Sequence, residues 1–267
     1  MRESSQKKPE KIITDLKDFD SNEKSLFLSA SAKNLDTLKT LSIENLWLVG
    51  ANDIELRKIL SFISLKYLNL YQVLAKDLSI LEIQENLETL ILEWSTKASS
   101  LWDISKNTNL RTLEILDFSK LESVDQLSSA TQLKSLVFGG GHGKPIKIET
   151  LKPLESLNGL ESLGLINLKV LDGSLEPLGN LKTLKNLNIS NQFETKEYAW
   201  LATRLQNTQC KLFEAVNTCK ITGTDNEIVW DTMVTGKRKP FLLSTIDHKR
   251  IEKYIKDFER LKSEQAK

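Results

Sequence analysis

Apolar residues recur along the chain in a fixed frame of three positions. Residues 65–70 carry it as Leu-x-x-Leu-x-Leu, and the frame starts at residues 43, 65, 87, 110, 133, 160 and 184. Successive starts are therefore 22, 22, 23, 23, 27 and 24 residues apart. The alternation within the frame predicts a short strand with its apolar side chains on one face. Seven copies at this period predict a solenoid in which each repeat supplies one strand and one return segment.

The repeated frame resembles that of the leucine-rich repeat superfamily over residues 21–216, and its spacing is similar to the short repeats of internalin-like bacterial arrays. The resemblance implies an α/β repeat solenoid, a leucine-rich repeat horseshoe with a parallel concave sheet. The family's frame usually continues to an asparagine at the ninth position, which bonds the backbone of neighbouring turns. The chain is identified as an irregular member without this asparagine ladder, since its ninth positions are Ala51, Val73, Ser95, Phe118, Gly141, Leu168 and Gln192.

Imperfect copies of the frame flank the seven regular ones. Glu23-x-x-Leu26-x-Leu28 starts 20 residues before the first regular frame and predicts an additional strand. Cys210-x-x-Phe213-x-Ala215 starts 26 residues after the last and predicts a final degenerate repeat. Between the last regular frame and this copy, residues 195–205 predict a longer helix.

The two ends of such an array must be capped, because a terminal repeat has an apolar face with nothing stacked on it. Residues 1–20 are expected to form an N-terminal cap, in which four residues have a helix-like spacing: Ile12, Ile13, Leu16 and Phe19.

Residues 217–267 are expected to form a C-terminal cap that consists of a β-hairpin and a helix. Two apolar segments, 227–235 and 241–245, flank a short turn that contains glycine, which predicts the hairpin. The final helix is predicted to begin after Asp247, a favourable N-cap. It carries an apolar stripe that predicts one buried face: Ile251, Tyr254, Ile255, Phe258 and Leu261.

The 27-residue interval contains a glycine-rich insertion that invites comparison with a phosphate-binding loop. Such a loop requires Gly, four residues, Gly, Lys and then Ser or Thr. Here three residues separate Gly139 from Gly143, and Pro145 stands where the hydroxyl residue is needed. The insertion is therefore predicted to be a loop on the edge of the solenoid. His142 and Lys144 in this loop are candidates for an edge contact with a partner.

Composition disfavours several classes of partner. The chain has 37 Lys and Arg against 36 Asp and Glu, a net charge of +1, so no strong field attracts nucleic acid or an anionic membrane. The N-terminus lacks the apolar run of a signal peptide, and no segment has the length of a membrane span. Together with only two cysteines, Cys210 and Cys219, this predicts a cytoplasmic protein with two free thiols. A disulfide between them is the alternative if a signal peptide has been lost.

Candidate groups for catalysis or metal binding are missing from the sequence. His142 and His248 are the only histidines, and neither has a partner at a spacing known for metal ligation. No nucleophile elbow, kinase motif set or dinucleotide-binding fingerprint occurs. We therefore expect no catalytic residues, no metal site, no cofactor and no enzymatic activity.

Positions between the leucines of the frame are expected to project from the concave sheet. In the first repeats they bring aromatic and apolar side chains together with a polar border, an arrangement typical of interface centres. The alternative is that the aromatic rings stiffen the sheet or contact the N-terminal cap. The predicted partner-binding residues are Trp47, Tyr67, Asn69, Tyr71, Ile91, Glu93 and Glu114.

These observations predict a non-catalytic module that binds an unidentified protein partner on its concave face. One narrower alternative is a bacterial immunity protein that masks a toxin. A second is a self-assembling structural scaffold, and a third is binding of nucleic acid or glycans through the aromatic residues. Balanced charge argues against nucleic acid, and the sequence does not indicate an oligomeric state.

Overall fold

The computed structural model of the chain describes residues 6–141, 145–224 and 227–265. Short strands dominate these ranges, and only three α-helices occur in them. The helices are α1 (Asp53–Leu60), α2 (Thr195–Arg204) and α3 (His248–Gln265). The strands are β1 (Ile13–Asp15), β2 (Ser25–Lys33), β3 (Asn45–Val49), β4 (Tyr67–Val73), β5 (Thr89–Ser95), β6 (Thr112–Phe118), β7 (Ser135–Gly139), β8 (Ile146–Ile148), β9 (Ser162–Ile166), β10 (Leu168–Val170), β11 (Asn186–Ile189), β12 (Val216–Thr222), β13 (Ile228–Val234) and β14 (Phe241–Leu242).

Nine of these strands form one parallel sheet in the order β1-β2-β3-β4-β5-β6-β7-β9-β11. Every neighbouring pair from β2 onward brings the same frame position side by side, so that Leu46 lies opposite Leu68 and Leu68 opposite Leu90. The predicted solenoid with a parallel sheet is thereby confirmed. We call the sheet surface formed by the third, fifth and seventh frame positions the concave face.

The leucines of the frame form a continuous apolar row inside the solenoid. The middle leucines of β3, β4, β5 and β6 are completely buried. Full burial of a leucine side chain stabilises the fold by about 2 kcal/mol, and no single repeat could achieve it alone. The core therefore extends along the whole array and joins all of the repeats.

Return segments on the opposite side are short. Apart from α1, which Asn52 and Glu55 cap reciprocally, they are mostly single 3₁₀ turns. A 3₁₀ turn rises further per residue than an α-helix, so it suits a repeat with few residues for the return. The 3₁₀ segments are Leu16–Asp18, Leu35–Thr40, Ser79–Ile83, Ile104–Lys106, Asp125–Ser129, Lys152–Leu154, Glu176–Asn180 and Lys211–Phe213.

Three amide side chains beneath the return segments bond the backbone of the preceding turn. Gln84 donates to Leu60 O at 2.9 Å and to Ile63 O at 3.0 Å. Asn107 donates to Leu81 O at 2.8 Å, and its own oxygen accepts from Trp102 Nε1 at 2.6 Å. Gln132 repeats the arrangement by donating to Ile104 O and Asn107 O. These amides donate to backbone carbonyls of the neighbouring turn. They do so from a repeat position other than the ninth, where the family usually carries its asparagine.

Charged residues form a second row at the amino edge of the sheet, one per repeat. Glu44 contacts both of its neighbours, Lys24 Nζ at 2.6 Å and Lys66 Nζ at 2.9 Å. The hydrogen bond from Lys24, followed by that from Lys66 and by their charges, lowers the pKa of Glu44 to about 2. We call this row the charge ladder; its members are Lys24, Glu44, Lys66, Glu88, Arg111, Lys134, Glu161 and Lys185.

The insertion between the fifth and sixth repeats adds a small second sheet. Its described part contains β8, which pairs in parallel with β10 so that Ile146 lies opposite Leu168. Where the insertion leaves β7, Gly139 has a φ of +153°, and a Cβ there would collide with the carbonyl of Ile166. Only glycine permits this close approach. His142 and Lys144, the candidates for an edge contact, lie outside the described residues.

The ends of the array agree only partly with expectation. The predicted strand at Leu26 and Leu28 is confirmed as β2, the helix from residue 195 as α2, and the hairpin as β13 and β14. The prediction of a helix-like segment at Ile13 is wrong, because this residue begins β1 and pairs with β2. The prediction of a strand at Phe213 is also wrong, because this residue ends a 3₁₀ turn.

Helix α3 follows Asp247 as expected and packs against α2. Of its predicted apolar stripe, Phe258 is buried, whereas Ile255 remains exposed. Before the hairpin, β12 was not predicted; it pairs antiparallel with β13. The C-terminal segment is thus a three-stranded antiparallel sheet with one helix, beside the last repeats. The domain boundaries at residues 20 and 216 stay a prediction.

We expect Asn107→Leu to lower the free energy of unfolding by about 2–3 kcal/mol, because it leaves the buried Trp102 Nε1 without its acceptor and removes one of the two hydrogen bonds that Leu81 O and Gln84 O each accept. Denaturant unfolding followed by circular dichroism measures the change. Asn109→Leu is the matched control, since this exposed amide makes one bond to a carbonyl. Equal losses in the two variants would contradict a stabilising role for the buried amide.

We also expect the stabilisation by Glu44 to depend on pH. The folded pKa of about 2 lies below the ordinary value of 4.5. The contribution is therefore complete above pH 4.5 and is lost as the pH falls towards 2. Unfolding titrations of wild type and Glu44→Gln should differ at neutral pH and converge near pH 2, whereas Glu122→Gln, at an exposed position outside the charge ladder, should follow wild type throughout. A constant difference down to pH 2 would refute the assignment.

Candidate partner-binding site

Large side chains on the concave face of the first repeats pack on one another. The rings of Trp47 and Tyr67 have centroids 4.7 Å apart with an interplanar angle of 40°. Ile91 joins them, and Phe27 packs against the cluster from β2. Lys8 Nζ lies 3.7 Å from the centre of the Phe27 ring, so the N-terminal segment also reaches this surface.

The expected exposure of three predicted site residues is therefore wrong. Trp47, Tyr67 and Ile91 are only 4%, 3% and 6% exposed. Neighbouring strands of a sheet are about 4.8 Å apart, so large side chains at adjacent and diagonal positions cover one another. This corresponds to the alternative in which the rings stiffen the sheet.

The remaining predicted residues are accessible and adjoin one another. Tyr71 is 44% exposed and lies opposite Glu93 in the sheet. Asn69 Nδ2 donates to Glu93 Oε1 at 3.3 Å, and Glu114 lies opposite Ile91 on the next strand. The structure thus brings four of the seven residues together on the accessible part of the concave face.

Left-handed backbone recurs at the eighth frame position, where the strands turn towards the return segments. Such backbone is ordinary for glycine and tolerated by asparagine, but it costs a bulky side chain about 1–2 kcal/mol. Trp94 adopts it with a φ of +59° and keeps 45% of its surface exposed. The positions of this row with positive φ are Gly50, Gln72, Trp94, Asp117 and Asn167.

Trp94 borders a cleft that sequence reasoning did not find. The cleft has a volume of about 910 Å³, within the range typical of ligand sites, and lies at the carboxyl edge of the sheet beside the insertion. The six-residue frame ends before Trp94 and Asp117, and only the repetition of the eighth position would have placed them in one row. We call it the carboxyl-edge cleft; its wall includes Tyr71, Trp94, Leu116, Asp117, Pro145 and Ile146.

Other chemistry is not apparent in the described ranges. They contain no cluster of His, Cys, Asp or Glu that could hold a metal ion. No helix within them has the length and apolar character to cross a membrane. Cys210 and Cys219 are free thiols rather than a disulfide, and burial raises the pKa of Cys210 to about 11.

Comparisons with known proteins give structural likeness only. No protein-family model matches the chain, and no curated protein matches it in sequence. An internalin from Listeria monocytogenes is 18% identical with a TM-score of 0.44, and the match covers 68% of this chain and 66% of the internalin. Internalin C2 from the same organism is 19% identical with a TM-score of 0.46, covering 67% and 76%. The mouse RP105/MD-1 complex contains a chain that is 20% identical with a TM-score of 0.43, covering 66% and 34%.

We expect Trp47→Ala to lower the free energy of unfolding by about 3–5 kcal/mol, because it removes a buried ring and its contact with Tyr67. Tyr71→Ala is the control on the neighbouring strand, where a half-exposed ring should cost about 1 kcal/mol. Denaturant midpoints of the two variants test the difference. Unchanged stability in Trp47→Ala would mean that the ring is exposed in solution.

The fold is established by the chain's own register rather than by these comparisons. Successive frames stack leucine on leucine from β2 to β11, with one return segment per repeat. These features confirm that the chain has the fold of leucine-rich repeat proteins.

Proposed function

We propose that this protein is a non-catalytic module that binds a protein partner at the carboxyl-edge cleft and the adjoining accessible part of the concave face. The tryptophan at position 94 carries the proposal, because the other left-handed positions of its row hold Gly, Gln, Asp or Asn. A tryptophan in left-handed backbone is strained, and strained residues concentrate at functional sites. Burial does not compensate fully here, since nearly half of the residue's surface is in contact with solvent.

The surroundings of Trp94 support this proposal. Its ring contacts Tyr71, with centroids 5.8 Å apart, and Leu116 and Ile146 give the cleft a buried apolar wall. Glu93 and Asp117 add charge at its border. Aromatic anchors beside an apolar wall and a polar rim are the composition expected at the centre of a protein interface.

Self-assembly is a second candidate, favoured by a different surface. Trp230 and Phe241 on the C-terminal sheet are exposed, and their ring centroids are 6.4 Å apart. A second copy could cover these rings. Sedimentation at increasing protein concentration distinguishes this candidate, because it requires a size that grows with concentration.

A variant that combines Tyr71→Ser with Trp94→Asn tests the main proposal. We expect it to lose the protein that wild type captures from cells of the source organism, while its stability stays within about 1 kcal/mol of wild type. Asparagine relieves the backbone strain at position 94, which offsets the lost ring contact. Affinity capture followed by mass spectrometry gives the first result, and denaturant unfolding gives the second.

Ile54→Ser with Ile83→Ser is the matched control, because both residues are exposed apolar side chains on return segments. This control should capture the same protein as wild type. Undiminished capture by the cleft variant would overturn the proposal, and loss in the control at the same time would place the partner on the convex side.

A further inference from the structure

The aromatic pair in the carboxyl-edge cleft has a geometry that suits a cation. The rings of Tyr71 and Trp94 have centroids 5.8 Å apart and are tilted by 59° rather than stacked in parallel, and each residue is nearly half exposed. A positively charged group within about 6 Å of an indole centre is attracted by the ring's quadrupole, and tryptophan is the strongest such acceptor.

Acidic side chains flank this pair because of the sheet register. Glu93 precedes Trp94 and lies between Tyr71 and Leu116 across neighbouring strands. Asp117 has the same frame position as Trp94 in the next repeat, one strand spacing of about 4.8 Å away. A cation on the indole is therefore within reach of a carboxylate on either side.

Asp117 is held in a fixed orientation. Its Oδ1 accepts a hydrogen bond from Gly141 N, which connects the carboxylate to the insertion beyond β7. A Cβ at residue 141 would collide with Asp117 Oδ2, so a larger residue there would require the carboxylate to move. A carboxylate held by a backbone amide loses less entropy on binding than a mobile one.

The charged side chains on the strands of the concave face are acidic, which is the sign that attracts a cation. The 21 strand positions that form this face from the first to the seventh regular frame include two glutamates, Glu93 and Glu114, and no lysine or arginine. Among the described residues lining the cleft, Glu93 and Asp117 are acidic, and Lys147 is the one base, exposed on β8. A partner segment of positive charge complements this surface.

We propose that the carboxyl-edge cleft receives an arginine side chain from an extended segment of the protein partner; this inference rests on the proposed function. The planar guanidinium stacks on Trp94 and donates to Asp117, a combination that an ammonium group makes less well. Leu116 and Ile146 contact apolar residues that flank the arginine. The cleft volume accommodates one long side chain and its neighbours.

The test uses the peptide acetyl-Gly-Leu-Arg-Leu-Gly-amide and the same peptide with citrulline, which has nearly the same shape without the charge. Each is titrated into ¹⁵N-labelled full-length protein, and the indole N–H signals of its five tryptophans are followed by NMR. The Trp94 signal is identified by its loss in Trp94→Asn. We expect the arginine peptide to shift this signal and to bind about tenfold more tightly than the citrulline peptide, a difference that corresponds to one charge-assisted contact.

Asp117→Asn should weaken the arginine peptide about tenfold while it keeps an oxygen that accepts from Gly141 N, so the fold is retained. Glu252→Gln, which removes an exposed acidic group on α3, is the control and should leave binding unchanged. Equal binding of both peptides, no effect of Asp117→Asn, or no shift of the Trp94 signal would overturn the inference.

Failure of the arginine inference and failure of the proposed function give different experimental results. If the Tyr71 and Trp94 double variant loses the captured partner but the arginine peptide shows no preference, the interaction surface stands and the arginine recognition is wrong. If capture is also independent of these two residues, the proposed function fails.

Discussion

Each strand of the array depends on its neighbours for both its hydrogen bonds and its apolar burial. The amide of Lys66 bonds the carbonyl of Glu44, and the amide of Glu88 bonds that of Lys66, at 2.9 and 2.8 Å. Unpaired backbone groups in a buried sheet are costly, so a shift of one residue would both break these bonds and turn the leucines outward. This joint requirement sets the register, and the register decides which side chains share a row.

Rows set by the register divide the molecule into surfaces with different roles. Charged residues at the amino edge pair with one another, as Glu161 does with Lys185, and buried amides such as Asn107 satisfy the return segments. In both rows the side chains make their contacts within the protein itself. The carboxyl edge differs, because its eighth frame positions range from glycine to tryptophan and the insertion adds a wall. Variation there alters the surface without disturbing the leucines.

The parts of the structure that follow a period were predictable, and the parts that depend on neighbouring side chains were not. The frame predicts β3 to β7, β9 and β11, because a leucine in the wrong register would be exposed. Burial of Trp47 could not be predicted, since it arises from Tyr67 and Ile91 on other strands rather than from its own alternation. Similarly, the spacing of Phe213 imitates the frame, yet the chain forms a 3₁₀ turn there. Trp94 was missed because its importance lies in a backbone angle.

The alternating signs of the charge ladder affect how readily such an array gains or loses repeats during evolution. From Lys24 to Arg111 the signs alternate at every step, so loss of the repeat that contains Lys66 would place Glu44 beside Glu88. Like charges directly opposite one another destabilise a sheet, whereas loss of two successive repeats preserves the alternation. In this half of the molecule, duplication or deletion during evolution is therefore easier for a pair of repeats than for one.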